Sequence, residues 1–148
     1  LVLRGMRTLS ARLQMHERHA LHLAHWLLGR PEVATVFCPA LPSHPGHALW
    51  QRDCTGTNGL LSFELQPELS QQAAEQLIDR LALFGIGASW GGYESLAALA
   101  DMSRARSLDD WQGRGAVVRL HVGLEDPVDL QNDLAQALAS LAHIRTPF

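Results

Sequence analysis

The sequence predicts an α/β fold, a two-layer sandwich in which a small, mainly antiparallel four-stranded sheet carries helices on one face. Three observations predict it. A long helical stripe opens the chain, four short segments carry strand chemistry, and two amphipathic helices follow the second and fourth of these. With 148 residues, 47% of them apolar, the chain can bury one core, so a single folded unit over residues 1–148 is expected.

The elements follow in order. Thr8 and Ser10 are both suited to cap a helix in which Leu9, Leu13, Ala20, Ala24 and Leu27 form one stripe, running to Gly29 and stopped by Pro31. Residues 32–38 are rich in β-branched and aromatic side chains and read as a strand, followed by the Pro-rich loop 39–46 and a short helix over 47–52. In 60–65, Leu61, Phe63 and Leu65 alternate with Ser62 and Glu64, a half-buried strand whose polar face points away from the core. Ser70 caps a helix with Ala74, Leu77, Ile78 and Leu81 on one face, and Gly85 and Gly87 end it before a short strand, 86–90. After a polar, irregular stretch over 101–115, residues 116–122 form the clearest strand, with Ala116, Val118, Leu120 and Val122 on one face. Asp126 and Pro127 then open a final helix carrying Leu130, Leu134, Leu138 and Leu141.

Composition excludes several classes of function. A formal net charge of −3 without a basic run is poorly suited to a phosphate backbone, so no nucleic-acid partner is expected. No stretch approaches the roughly 18 continuous apolar residues of a membrane span, and no secretory signal opens the chain, so a cytoplasmic protein is expected. Cys38 and Cys54 fit neither a disulfide framework nor a paired metal motif and read as small core residues. All 12 basic residues are Arg, so chemistry that needs a Lys amine is excluded from this chain. The opening residues, from Leu1, read as the middle of a longer protein.

Arg119 interrupts an apolar strand, beside Val117 and His121. Its fork of donors fits a carboxylate in two parallel bonds, which makes it a candidate anion-binding residue. The competing reading, weightier on spacing alone, pairs it with Glu125 or Asp126 or lets it snorkel from a sheet edge. Ser89-Trp90-Gly91-Gly92-Tyr93 places a hydroxyl, a large aromatic and a flexible backbone after a strand, either as a close approach to a ligand or as a tight turn with Trp90 in the core. His16, His19, His22 and His25 recur every three residues. That step drifts around a helix and cannot converge on one ion, so no metal is expected and a solvated or interface face is the alternative.

Taken together, four segments resemble the cystathionine-metabolism family of pyridoxal-phosphate (PLP) enzymes, most closely its bacterial cystathionine beta-lyases. They are Leu3-Arg4-Gly5-Met6-Arg7-Thr8-Leu9, the loop from Pro39 to Pro45, Ser89 to Leu96, and Val118-Arg119-Leu120-His121-Val122-Gly123-Leu124-Glu125-Asp126. The resemblance spans nearly the whole chain. It implies the C-terminal small domain of a fold-type I PLP enzyme, with residues 1–28 as the long helix leading out of the large domain. It also reverses the weight on Arg119, whose counterpart grips the substrate α-carboxylate, and makes Ser89 and Trp90 substrate-binding positions. Trp90 and Ala88 stand where gamma-acting relatives carry other residues.

The function so implied is β-elimination of cystathionine to homocysteine, pyruvate and ammonia by a full-length, PLP-dependent, homotetrameric lyase. The Schiff-base Lys and the cofactor-binding groups would belong to an N-terminal domain, so no catalytic or cofactor-binding residue is expected in this chain, which alone would be inactive. A cystathionine gamma-lyase, gamma-synthase or methionine gamma-lyase, and a non-catalytic binding or assembly domain, remain open alternatives.

Overall fold

A computed structural model of the chain describes residues 1–102, 111 and 113–143. The elements are α1 (Val2–Met6), α2 (Leu9–Leu28), β1 (Val33–Phe37), α3 (His47–Asp53), β2 (Leu60–Leu65), α4 (Gln71–Asp79), β3 (Gly85–Ile86), β4 (Leu96–Ala100), β5 (Val117–His121) and α5 (Pro127–Ala139), with a 3-10 turn over Ser140–His143. The irregular stretch expected over 101–115 lies mostly outside the described residues.

The α/β class holds, but among the described residues the sheet has five strands rather than four, in the order β1-β2-β5-β4-β3. The pairings β1–β2, β2–β5 and β5–β4 are antiparallel, and β3 joins β4 in parallel. Two elements differ from expectation. The strand expected over 86–90 ends at Ile86, leaving Ser89 and Trp90 in the turn that follows, and 96–100 adds an unexpected strand. Leu and Ala favour helix locally, but β5 on one side and β3 on the other supply two sets of backbone partners for this segment.

Alternation along the central strands divides the sheet into two faces. One carries Leu61, Phe63, Leu65, Val118, Leu120 and Ala97 into a single core with Leu23, Ala24 and Leu27 of α2, Leu77 of α4, and Leu130, Leu134 and Leu138 of α5. Helices α2 and α4 pack on the sheet, and both touch α5. Burying a Phe or Leu side chain contributes about 1.5–3 kcal/mol, so Phe63 and these fully buried leucines dominate the stability. Local signals fix the helix starts. Ser70 Oγ accepts from Ala73 N at 3.1 Å, and Asp126 Oδ1 accepts from Val128 N at 2.8 Å with Pro127 opening α5.

The other face is less solvated than the alternation predicts. Glu64 is buried because Arg114 reaches it with Nε at 3.1 Å and Nη2 at 2.6 Å, and Gly115 N donates to it at 3.1 Å. Arg114 in turn lies 3.7 Å over the Trp111 ring. Burial alone would raise the Glu64 pKa, but the hydrogen bonds from Arg114 and Gly115 and the Arg114 charge outweigh it and hold the carboxylate below its usual range.

The ends of the chain also depart from the sequence reading. Leu9 and Leu13, placed on the core stripe, are exposed, as are Leu1, Val2, Leu3 and Met6 around α1. The apolar core begins at Ala20 in α2, and the helix is buried only from His16 onward. Cys38 is buried, whereas Cys54, just after α3, is exposed. Among the described residues, no helix is long and apolar enough to cross a membrane.

Candidate functional site

Arg119 stands at the middle of β5, directly opposite Ser62 on β2 and Ala98 on β4. Both neighbours are small, so the guanidinium lies over the sheet without a bulky flank. Its Nη2 donates to the backbone oxygen of Ser89 at 3.4 Å, a long bond, and its Nε is buried with no hydrogen-bond partner. Among the described residues it has no ion pair. The pairing with Glu125 weighed from the sequence is not formed, because Glu125 instead accepts from the backbone N and the Oγ of Ser95, each at 2.8 Å. A buried guanidinium nitrogen without an acceptor is costly, and a planar anion offers what it lacks.

The structure therefore brings Arg119 and Ser89 together. Trp90 is beside them in the turn but is 62% exposed, so it is not the core residue of the tight-turn reading. Tyr93 is similarly exposed. The turn depends on Gly91, whose φ of 81° is left-handed. It is held from outside itself: Arg12 of α2 donates from Nη1 to Gly91 O at 3.4 Å, and Leu124 N donates to Tyr93 O at 2.9 Å.

His121 and the helix histidines are better placed than their sequence pattern indicates. His121 is buried, with Nε2 3.1 Å from Gly91 N and 3.2 Å from Gly92 O. His16 and His19, read as a solvated or interface face, are buried, because their Nδ1 atoms reach Val122 O at 2.8 Å and Gly123 O at 3.2 Å. These carbonyls follow β5, where the ladder has stopped using them. The His16 and His121 rings lie 5.1 Å apart. Burial holds the His121 pKa below the usual histidine range. His16 and Arg119 act in the same sense, against the Gly92 hydrogen bond and Glu125. Sequence reasoning assigned no role to His121 or Arg12. Strand alternation was the available signal for the former, since it puts His121 on the Arg119 face.

Among the described residues, no group of three or more His, Cys, Asp or Glu side chains is arranged to hold a metal ion. The chain has no Lys with which to hold an aldehyde as an imine. An imine link to the PLP cofactor is therefore not available from this chain. What the site presents is the Arg119 guanidinium against the Ser89 carbonyl, with Nε left without a partner among the described residues.

The family model for Cys/Met metabolism PLP-dependent enzymes matches residues 1–139. A cystathionine beta-lyase of Bordetella avium is 53% identical over 139 residues, 93% of this chain and 35% of its own length. A putative cystathionine beta-lyase of Rhizobium johnstonii is 44% identical over 149 residues, covering 97% of this chain and 37% of the relative. The fold matches the crystal structure of cystathionine gamma synthase from Xanthomonas oryzae pv. oryzae in complex with aminoacrylate and cysteine. The TM-score is 0.82 and the identity 37%, over 95% of this chain and 37% of that one. The chain thus spans about a third of the length of these relatives. With a family match over nearly its whole length and a close relative covering 93% of it, the chain belongs to the Cys/Met metabolism PLP-dependent enzymes.

Proposed function

We propose that this chain is the substrate-side part of a carbon–sulfur lyase that cleaves cystathionine by β-elimination. In the net reaction the bond between sulfur and the β-carbon breaks, and the sulfur leaves with a proton as homocysteine. The remaining three-carbon amino acid takes up water and yields pyruvate and ammonia. Arg119 binds the α-carboxylate through two parallel bonds, with Ser89 fixing the guanidinium by its carbonyl and Trp90 forming an aromatic wall. The single observation that carries this reading is the Arg119 guanidinium, in contact with Ser89 and with a buried Nε that has no acceptor.

The cofactor chemistry belongs, in this reading, to the remainder of a full-length enzyme, and the chain alone is inactive. The exposed apolar row from Leu1 to Leu13 supports docking against that remainder. A homotetramer and a cytoplasmic location belong to the same reading. The gamma synthase likeness favours one alternative, γ-directed chemistry on the same scaffold. Analysis of the products from cystathionine separates the two, because only β-elimination gives pyruvate and homocysteine.

The test is Arg119→Ala in the full-length enzyme. Losing a buried charged contact of about 2–5 kcal/mol corresponds to a fall of about 30-fold to a few thousand-fold in kcat/KM for cystathionine. An unchanged kcat/KM refutes the assignment.

A further inference from the structure

The Ser89–Trp90 turn belongs to no strand, yet it supplies the carbonyl that meets Arg119. Resting on the carboxylate-binding reading above, we propose that His121 is a positioning residue, which sets the height of this turn over the Arg119 guanidinium by holding the Gly91 peptide.

The geometry leaves the ring little freedom. His121 is the last residue of β5, paired with Leu60 on one side and Leu96 on the other. A Cβ on Gly59 would lie 2.8 Å from its Cε1 and 2.9 Å from its Nδ1, so the backbone closes one side of the ring. His16 closes another. The ring therefore keeps its place, and the turn is placed by it.

Nε2 lies between two successive peptide groups of the turn and can serve only one at a time. With Nε2 bare, as in the Nδ1–H tautomer, it accepts from Gly91 N–H, and with a proton on Nε2, as in the imidazolium, it donates to Gly92 C=O. Protonation thus exchanges which half of the turn is held, two residues from the carbonyl that meets Arg119. The groups facing the ring are His16 from α2, Arg119 from β5 and Glu125 beyond the end of β5. The first two oppose a proton on the ring and Glu125 favours one, and burial adds to the opposition. Burial keeps the ring neutral to lower pH than an ordinary histidine, and in its Nδ1–H tautomer Nε2 is the acceptor for Gly91. His121 acts through its contacts with the turn.

The test uses the full-length holoenzyme with cystathionine and compares wild type, His121→Phe, His121→Gln and Arg119→Ala. Phe keeps a ring and removes the bond, so KM rises about tenfold, the equivalent of one net hydrogen bond, while kcat changes less than about twofold. Gln presents an amide that can accept from Gly91 or donate to Gly92, so it returns KM to within about twofold of wild type. In wild type KM rises as pH falls below the usual histidine range, because burial holds the His121 pKa down, and in His121→Gln that rise is absent. The visible absorbance of the bound cofactor reports whether each variant is folded. An unchanged KM in folded His121→Phe overturns the proposal. So does a wild-type acid rise in KM that persists in His121→Gln, which decides the matter if the Phe variant does not fold. If Arg119→Ala leaves kcat/KM unchanged, the underlying site reading fails. If it does not, and His121→Phe is silent, only the positioning role fails.

Discussion

Ser95 joins the start of β4 to the loop after β5, and replacing it with Ala tests whether that junction is a single hydrogen-bonded unit. The hydroxyl is buried, donates to Glu125 Oε2 at 2.8 Å and accepts from Gly123 N at 2.8 Å. Ala removes both bonds. The buried Gly123 N–H then loses its acceptor, at a cost of about 1–3 kcal/mol, and a bond to a charged group is worth about 1.5–3 kcal/mol. The two overlap, because Glu125 keeps its bond from Ser95 N. Water does not replace the hydroxyl: the vacated space is one oxygen atom, and a Cβ on Gly123 would already overlap Tyr93 O and Glu125 Oε2. The net cost is about 3 kcal/mol, equivalent to about a 150-fold increase in local opening. Hydrogen exchange on peptides spanning 93–100 and 117–125 of the full-length enzyme measures it, and acceleration below about threefold refutes the reasoning.

Two further predictions concern the frame around the site. The lowered folded-state pKa of Glu64 means that its stabilising contribution is present above its unfolded value of about 4.3 and is lost as pH falls through the folded value. Denaturation midpoints should therefore fall more steeply with acid in wild type than in Glu64→Gln, and parallel curves would show that the Arg114 pair contributes nothing. Asp126→Ala should lower stability by about 1 kcal/mol through the lost cap of α5, with Asp126→Asn close to wild type. Urea midpoints check this.

Patterns that depend on one neighbour were legible in the sequence. β2 and β5 alternate against the same helical layer, and the α5 leucines recur at the spacing that buries them. Patterns that depend on who the neighbour is were not. The Leu-Ala-Ala-Leu-Ala of β4 carries no β-branched residue and becomes a strand only through two flanking partners. Leu9 and Leu13 have helical spacing, but spacing does not say whether a surface packs inside the same fold. Glu64, His16 and His19 are polar and so were read as outward. They are buried because Arg114 and two carbonyls beyond β5 satisfy them across 50 to 106 residues of chain. Arg119 and Ser89 were singled out by type and resemblance and are in contact, whereas the unpaired Nε and the histidine beneath the turn needed coordinates.

The small flanks of Arg119 carry one more consequence. β5 is laddered on both sides, so the guanidinium is mounted on a fixed datum that cannot shift without breaking two rows of backbone bonds. The turn opposite is an adjustable stop, fastened by a few side chains and a glycine. Any change in the gap between them falls on the stop. On the proposed carboxylate-binding role of Arg119, a change of specificity would keep the datum and reset the stop, at positions around Ser89, Trp90, Arg12 and His121.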